Sequence, residues 1–440
     1  MNNQTDNLTE KIRQQFSTSP YPRIPIETSP KDKYESLYLH NLVTPYYLRN
    51  RQIISTEDKV ILDAGCGTGY KSLILATANP GAKIVGIDLS SEALTLAKHR
   101  LEYHGINNAE FHQLSIEDLP DLNQEFDYIN TDDVLYLLPD IAGALTAMKS
   151  VLKPDGIIRA NLHSSLQRTQ YYRVQSLFKA MGLMDENPEE IEINLAREIM
   201  ESFKNDVILK ASTWKPDRAK EDEWMLMNYL FVGDKGFTIP ETFAFLSAAN
   251  LEFISMLNWA QWDLLKLFKE PDNLPTFIAM SLPEISLEEQ FKLFELLHPI
   301  HRLIDFWCGH PDQGNSYLPV EEWSNTDWEK AKVYLHPQIR HDQARQDLIN
   351  CINNPKPFEI SRYVPLATTE PWGIDISMAS CLLPLWDGEQ SMISLVERWL
   401  KLRPLDPITL EPVSWQAAFD ELKAVLIKLE SFLYVLIDHI

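Results

Sequence analysis

Between residues 58 and 161 short apolar runs alternate with longer amphipathic stretches. Lys59 to Leu62 is nearly continuous in apolar residues, as in a strand buried on both faces. A loop follows at residues 63–69, then a helix from Lys71 to Asn79. Lys83 to Asp88 reads as a second strand, and Ser90 or Ser91 can cap a helix running to His104. Ala109 to Gln113, Phe126 to Asn130 and Gly156 to Asn161 read as strands three to five. A helix from Ile141 to Val151 and a turn over Lys153 to Gly156 precede the last of these. Strands alternating with helices at this spacing predict a parallel sheet with right-handed crossovers.

The flanking segments follow other patterns. Residues 17–30 are proline-rich and should be extended. Tyr34, Leu37, Tyr38, Leu42 and Tyr46 recur at helical spacing, which predicts a helix interrupted at Pro45. After residue 165 the pattern becomes helical and acidic. Ala244 to Asn250 reads as a helix, and Leu251 to Met256 and Thr276 to Met280 as two late strands that complete the sheet. Residues 283–440 read as largely helical, with a proline-rich break at about 352–375. The resulting division is a helical cap (1–50), an α/β core (51–164), an acidic helical insertion (165–235), completion of the sheet (236–282) and a mainly helical C-terminal module (283–440). All 11 tryptophans lie from Trp214 onward, consistent with modules of different composition.

Charge narrows the function. Against 40 Lys and Arg stand 63 Asp and Glu, a formal charge of −23. Nucleic-acid binding depends on cationic side chains neutralising phosphates, so a nucleic-acid partner is disfavoured. An anionic membrane surface is disfavoured for the same reason. A basic protein segment suits the charge, which also favours solubility. The sequence has no apolar run long enough for a membrane span, and Met1 to Phe16 lack the apolar core of a signal peptide, so a cytoplasmic location is expected. Cys66, Cys308, Cys351 and Cys381 are unpaired in spacing. His298, His301, Cys308 and His310 sit in a strongly apolar stretch and read as histidines packed in a core helix; no metal site is expected.

The chemistry centres on Asp63-Ala-Gly65-Cys66-Gly67-Thr-Gly69. Glycines between a strand and a helix permit positive φ and close approach to a ligand at the sheet's carboxyl edge. A dinucleotide fingerprint needs its third glycine one position later, where this chain has the bulky Tyr70. S-adenosylmethionine (SAM) has no phosphate to place on the helix N-terminus; it carries a sulfonium and an ammonium, which favour carboxylates. Asp88, at the second strand's end, can accept hydrogen bonds from ribose hydroxyls.

Together these pieces resemble the class I SAM-dependent methyltransferase core, Rossmann-like with a mostly parallel seven-stranded sheet. The matching motifs are VILDAGCGTG (60–69), GIDLS (86–90), EDLP (117–120), Phe126-Asp127 and LKPDG (152–156), in family order. The resemblance implies SAM as cofactor. It places Asp63, Gly65, Cys66, Gly67 and Gly69 by the methionine part and Asp88 and Leu89 by the ribose. Gln113 to Ile116 lie by the adenine. Many members have an acidic residue where this chain has Ser115, so Glu117 is the alternative partner for the adenine amino group. Asn130, Thr131 and Asp132 face cofactor and substrate. Asp132, Asp133 and Tyr136 are the catalytic candidates, with a bland alternative for two of them: Asp133 capping a short helix and Tyr136 packing in the core. The cap tyrosines Tyr21, Tyr34, Tyr38, Tyr46 and Tyr47 could close over a cationic ligand or form a packing face.

A second resemblance concerns residues 228–254 and 381–400, which are similar to bacterial protein-lysine methyltransferases that modify outer-membrane proteins. The His-Glu pair typical of that regulatory segment is replaced here by Val232-Gly233. Three functions follow: a protein methyltransferase acting on lysine; a small-molecule methyltransferase with residues 165–440 forming a lid and a homodimer contact; and a SAM-binding regulator without turnover.

Overall fold

A computed structural model describes residues 22–364 and 371–439. Tyr21 and the rest of residues 1–21 lie outside the described residues, as does 365–370 of the proline-rich break. Seven strands form the central sheet: β1 (Val60–Ala64), β2 (Lys83–Asp88), β3 (Ala109–Gln113), β4 (Phe126–Thr131), β5 (Leu152–His163), β6 (Glu252–Met256) and β7 (Leu303–Gly309). Their order is β3-β2-β1-β4-β5-β7-β6. The first five run parallel, while β7 is antiparallel to both β5 and β6. This is the mostly parallel Rossmann-like sheet expected.

Successive residues of a strand point to opposite faces, so a doubly covered sheet needs apolar residues at every position. In β1 and β2, Leu62, Ala64, Val85 and Ile87 pack into one core. Ile61 and Ile84 pack into the other. Helices Ile141–Ser150 and Ile239–Ala248 contact each other on the first side.

Several sequence expectations are corrected. The turn at Lys153 to Gly156 is part of β5: Phe126 pairs with Leu152 and Tyr128 with Ile157, and an irregular register absorbs the intervening residues. Thr276 to Met280 is not a strand. It opens the helix Thr276–Ser281, with Phe277 79% exposed. A short apolar run is compatible with either conformation, and the sheet position is filled by β7 instead. The expected histidine-bearing core helix ends at Leu297, just before His298-Pro299, and the chain resumes as β7. His298 is exposed, whereas Cys308 is buried in β7. Proline cannot donate the backbone hydrogen bond a continuing helix requires.

The N-terminal helix does not break at Pro45. Helices Tyr34–Leu39 and Val43–Asn50 are separated by residues 40–42, and Pro45 falls in the second helix's first turn, where its missing N–H is tolerated. Asn41 makes the break: its side chain accepts from Val43 N at 2.9 Å and donates to Ala78 O at 2.6 Å.

The C-terminal region is less helical than expected. It contributes β7 to the central sheet. It also holds a sheet of β8 (Ala331–Leu335), β11 (Gln390–Ser391) and β12 (Val435–His439), and a two-stranded pair of β9 (Phe358–Glu359) and β10 (Gly373–Ile374). The described cap tyrosines serve these cores rather than a ligand. Tyr46 packs in the sheet core and donates to Asp127 O at 3.0 Å. Its neighbour Tyr47 packs in the C-terminal core and donates to Glu430 at 3.0 Å. Tyr38 donates to Phe432 O at 3.1 Å, and Tyr34 stacks on His341. The acidic insertion has a core of its own, including Val174, Phe178, Ile193, Met200 and Tyr229.

Candidate active site

The loop between β1 and helix Tyr70–Ala78 is built on three glycines of positive φ: Gly65 (81°), Gly67 (50°) and Gly69 (79°). Two also permit close packing. A Cβ on Gly65 would stand 2.5 Å from Val134, and one on Gly69 would stand 2.6 Å from the Ala97 Cβ. Four of the loop's N–H groups are used internally. Gly65 and Cys66 donate to Ile87 O at 2.9 Å, Gly69 to Cys66 O at 3.0 Å and Gly67 to Asp88 Oδ2 at 2.9 Å. A pyrophosphate would need such donors free. A sulfonium and ammonium instead need carboxylates, and Asp63, Asp88 and Asp133 stand at or just beyond the carboxyl ends of β1, β2 and β4. These carboxylates fit SAM.

Asp88 accepts one backbone N–H on each oxygen, from Gly67 and from Ser90 at 2.9 Å. A carboxylate has about four acceptor sites, so the ribose role remains open to it. Burial raises its pKa, against the backbone hydrogen bonds. Leu89 beside it is exposed. Ser115 donates to Asp118 at 2.8 Å; Ile116 is buried and Glu117 exposed.

A closed polar network lies beneath the loop. Buried Asp63 accepts from Ser72 Oγ at 2.6 Å and Asn130 Nδ2 at 2.8 Å. Burial pushes its carboxyl up to about 6, although these two hydrogen bonds oppose the shift. Arg159, buried in β5, donates to Asn130 Oδ1 at 3.0 Å, to Asp132 at 3.1 Å and to Asp305 at 2.7 Å. Asp132 also meets Lys71 Nζ at 2.7 Å and Asn161 Nδ2 at 2.7 Å. Burial would raise the pKa of Asp132, but Lys71 and Arg159 outweigh it and hold the carboxyl far below its usual range. Arg159 donates to His40 Nε2 at 2.7 Å, leaving the other ring nitrogen to donate to Ser36 O. Asn130 is thus a structural link with both ends of its amide engaged. Thr131 is fully buried, and its hydroxyl has no hydrogen-bond partner among the described residues.

A second cluster lies at the tips of β4 and β5. His163, the last residue of β5, bonds through Nδ1 to Asp234 Oδ1 at 2.7 Å. Arg302 lies 3.0 Å from His163 Nε2. A guanidinium only donates, so Nε2 is the acceptor and Nδ1–H donates to Asp234. Arg168 and Gln175 hold the other Asp234 oxygen at 2.6 and 3.0 Å. Asp133, expected as a possible helix cap, does not cap the turn at Leu135–Leu137, whose preceding residue is Val134. It has φ 58°, its N–H donates to Asn161, and its carboxylate meets Arg302 at 3.2 Å. Tyr136 is buried and stacks on His163 with ring centroids 3.9 Å apart.

Asp133, Tyr136, His163, Arg168 and Arg302 line a cavity of about 530 Å³ that also touches Pro22, Ile24, Gln167, Lys215, Glu223 and Trp224. Buried Arg100 donates to Ile24 O, Pro25 O and Thr68 O, which holds the N-terminal segment beside the glycine loop. Asp133 and Tyr136 are the sequence candidates that reach the cavity. His163, Arg168, Asp234 and Arg302 were missed. The available signal was the position of His163 at the end of the fifth strand, on the edge where such sheets bind ligands.

Comparison with known proteins agrees with this geometry. A family model described as a methyltransferase domain matches residues 55–226. An uncharacterised protein of Synechococcus is 26% identical over 73% of this chain and 75% of its own length. The ubiquinone biosynthesis O-methyltransferase of Actinobacillus pleuropneumoniae is 30% identical over 32% of this chain, which spans 59% of that enzyme. The structure of PKMT2 from Rickettsia typhi covers 92% of this chain and 75% of its own, with TM-score 0.59 and 18% identity; a second PKMT2 structure holds AdoHcy. The glycine loop, the sheet order and these matches together show that residues 55–226 hold a methyltransferase domain with the class I SAM-dependent fold.

Proposed function

We propose that the chain methylates a protein amine, a lysine side chain, entering the cavity between the sheet's carboxyl edge and the acidic insertion. The observation that carries this is the cavity itself, whose wall joins Asp133, Tyr136 and His163 of the core to Lys215, Glu223 and Trp224 of the insertion. Aromatic faces and carboxylates suit an incoming ammonium. The formal charge of −23 favours encounter with basic segments. The fold likeness to PKMT2, which extends over the insertion and the C-terminal region, supports the same reading.

On this reading Asp63, Gly65, Cys66, Gly67 and Gly69 hold the methionine portion of SAM. Asp88 and Leu89 hold the ribose, and Ser115, Ile116 and Glu117 the adenine. Asn130 and Thr131 support the site from below. When bound, SAM supplies an activated methyl group; the chain's own task is to align the acceptor and exclude water. The described residues include no helix long and apolar enough to cross a membrane, and we place the enzyme in the cytoplasm.

A small-molecule acceptor is the second reading. The cavity volume falls in the usual range for small ligands, and the O-methyltransferase relatives match the core. A homodimer under that reading would use exposed apolar residues such as Phe277, Met280, Leu296 and Leu297. One assay separates the readings: the purified chain is incubated with methyl-labelled SAM and a cell lysate. Label in protein bands is expected. Label confined to the small-molecule fraction supports the alternative, and SAM binding without any transfer would leave only a SAM-binding regulator.

A further inference from the structure

We propose that His163 is the general base that removes the acceptor's proton and that Asp234 is the residue that positions it. The proposal rests on the reading that an amine acceptor enters this cavity.

The geometry has the parts a base requires. Asp234 Oδ1 accepts a hydrogen bond from Nδ1–H at 2.7 Å, which fixes the tautomer and leaves a lone pair on Nε2. Asp234 is itself held by Arg168 and Gln175 on its other oxygen. The Tyr136 ring, 3.9 Å away, fixes the imidazole plane. Both His163 and Tyr136 line the cavity. Arg302 occupies the Nε2 lone pair, but its side chain is 46% exposed, and it is the group an acceptor displaces. Gln167 Oε1, buried in the same wall and without a hydrogen-bond partner among the described residues, is an acceptor suited to a second N–H of the incoming amine.

The groups facing His163 are Asp234, Arg168, Arg302, Asp133 and Tyr136. Burial first, and then Arg168 and Arg302, lower its pKa against the pull of Asp234. The imidazole therefore stays neutral and able to accept at neutral pH. The same cations lower the pKa of an ammonium placed beside them, which eases its deprotonation. The proton passes from the acceptor nitrogen to Nε2, and the freed lone pair bonds to the methyl carbon. The carbon–sulfur bond breaks with its electron pair remaining on sulfur. His163 then releases the proton to solvent. Asp132 cannot replace it, because Lys71 and Arg159 saturate that carboxylate.

The test uses the full chain, methyl-labelled SAM, and heat-treated bacterial lysate protein as acceptor. His163→Gln should lower kcat by about 10²–10⁴-fold and remove the acid limb of the pH profile, with S-adenosylhomocysteine affinity unchanged. Asp234→Asn should keep that affinity but move the acid limb to lower pH, because the imidazolium loses its counter-charge. Nitrogen NMR of the wild-type imidazole should report Nδ1 protonated and Nε2 bare at neutral pH. Retention of kcat within a few-fold in His163→Gln, or a protonated Nε2, overturns the proposal while leaving methyl transfer intact. A wild-type chain that labels no protein overturns both this proposal and the amine reading beneath it.

Discussion

Two charged clusters stand within a few residues of each other in sequence and differ in what they leave unsatisfied. In the network beneath the glycine loop, Arg159, Asp132, Asn130 and Asp63 meet one another and Lys71, Asp305 and Ser72. At the cavity, Asp234 joins His163 to Arg168, and the outward nitrogen of His163 meets the half-exposed Arg302. The first arrangement suits a scaffold, because buried charges are tolerated only when paired and hydrogen-bonded. The second suits chemistry, because a nitrogen that can exchange its partner can also take a proton. Neighbouring residues divide accordingly: Asp132 faces the closed network and Asp133 the cavity.

Breaking the closed network should have the largest effect. Arg159→Ala leaves Asp132 and Asp305 buried without their shared cation. A loss of about 3–5 kcal/mol in stability is expected, read from the urea midpoint. A variant as stable as wild type would mean the network is ornamental. Asp88→Ala should weaken SAM binding by about 1.5–3 kcal/mol by titration calorimetry; unchanged affinity would remove Asp88 from the ribose. Gly69→Ala forces a side chain at φ 79° against the Ala97 backbone 2.7 Å away. It should cost about 1–3 kcal/mol in thermal unfolding.

The smallest effect concerns pH. The Asp63 carboxyl is raised in the folded state to about 6, so the folded chain binds this proton more tightly than the unfolded chain. Its contribution to stability is therefore present at low pH and lost as pH rises from near 4 through about 6. The slope is at most about 1.4 kcal/mol per pH unit for one proton. Asp63→Asn should flatten the wild-type curve in that window; parallel curves for the two proteins would refute the assignment.

The core was legible because its signals are local. A strand buried on both faces shows as a continuous apolar run, and a loop of positive φ calls for glycine within a few residues of that run. Both are visible at Val60 to Gly69. The tyrosines illustrate the opposite case. Tyr46 and Tyr47 look alike in sequence, yet one enters the sheet core and the other the C-terminal core. Helical spacing marks an apolar stripe without saying what covers it. The strand misread at Thr276 to Met280 has the same origin, since a short apolar run has no partner written beside it.

The sequence by itself determined the glycine loop after the first strand, the first five strands and the carboxylate at the tip of the second. Each depends on backbone conformation and burial pattern over a few residues. Only the tertiary structure decided how the sheet closes and which charged side chains meet at its edge. Arg159 finds Asp305 across 146 residues, and His163 finds Asp234 across 71. Such pairs arise when β7 docks on β5 and the insertion folds back over the sheet's edge. No local propensity encodes them; they follow from which surfaces must be buried together.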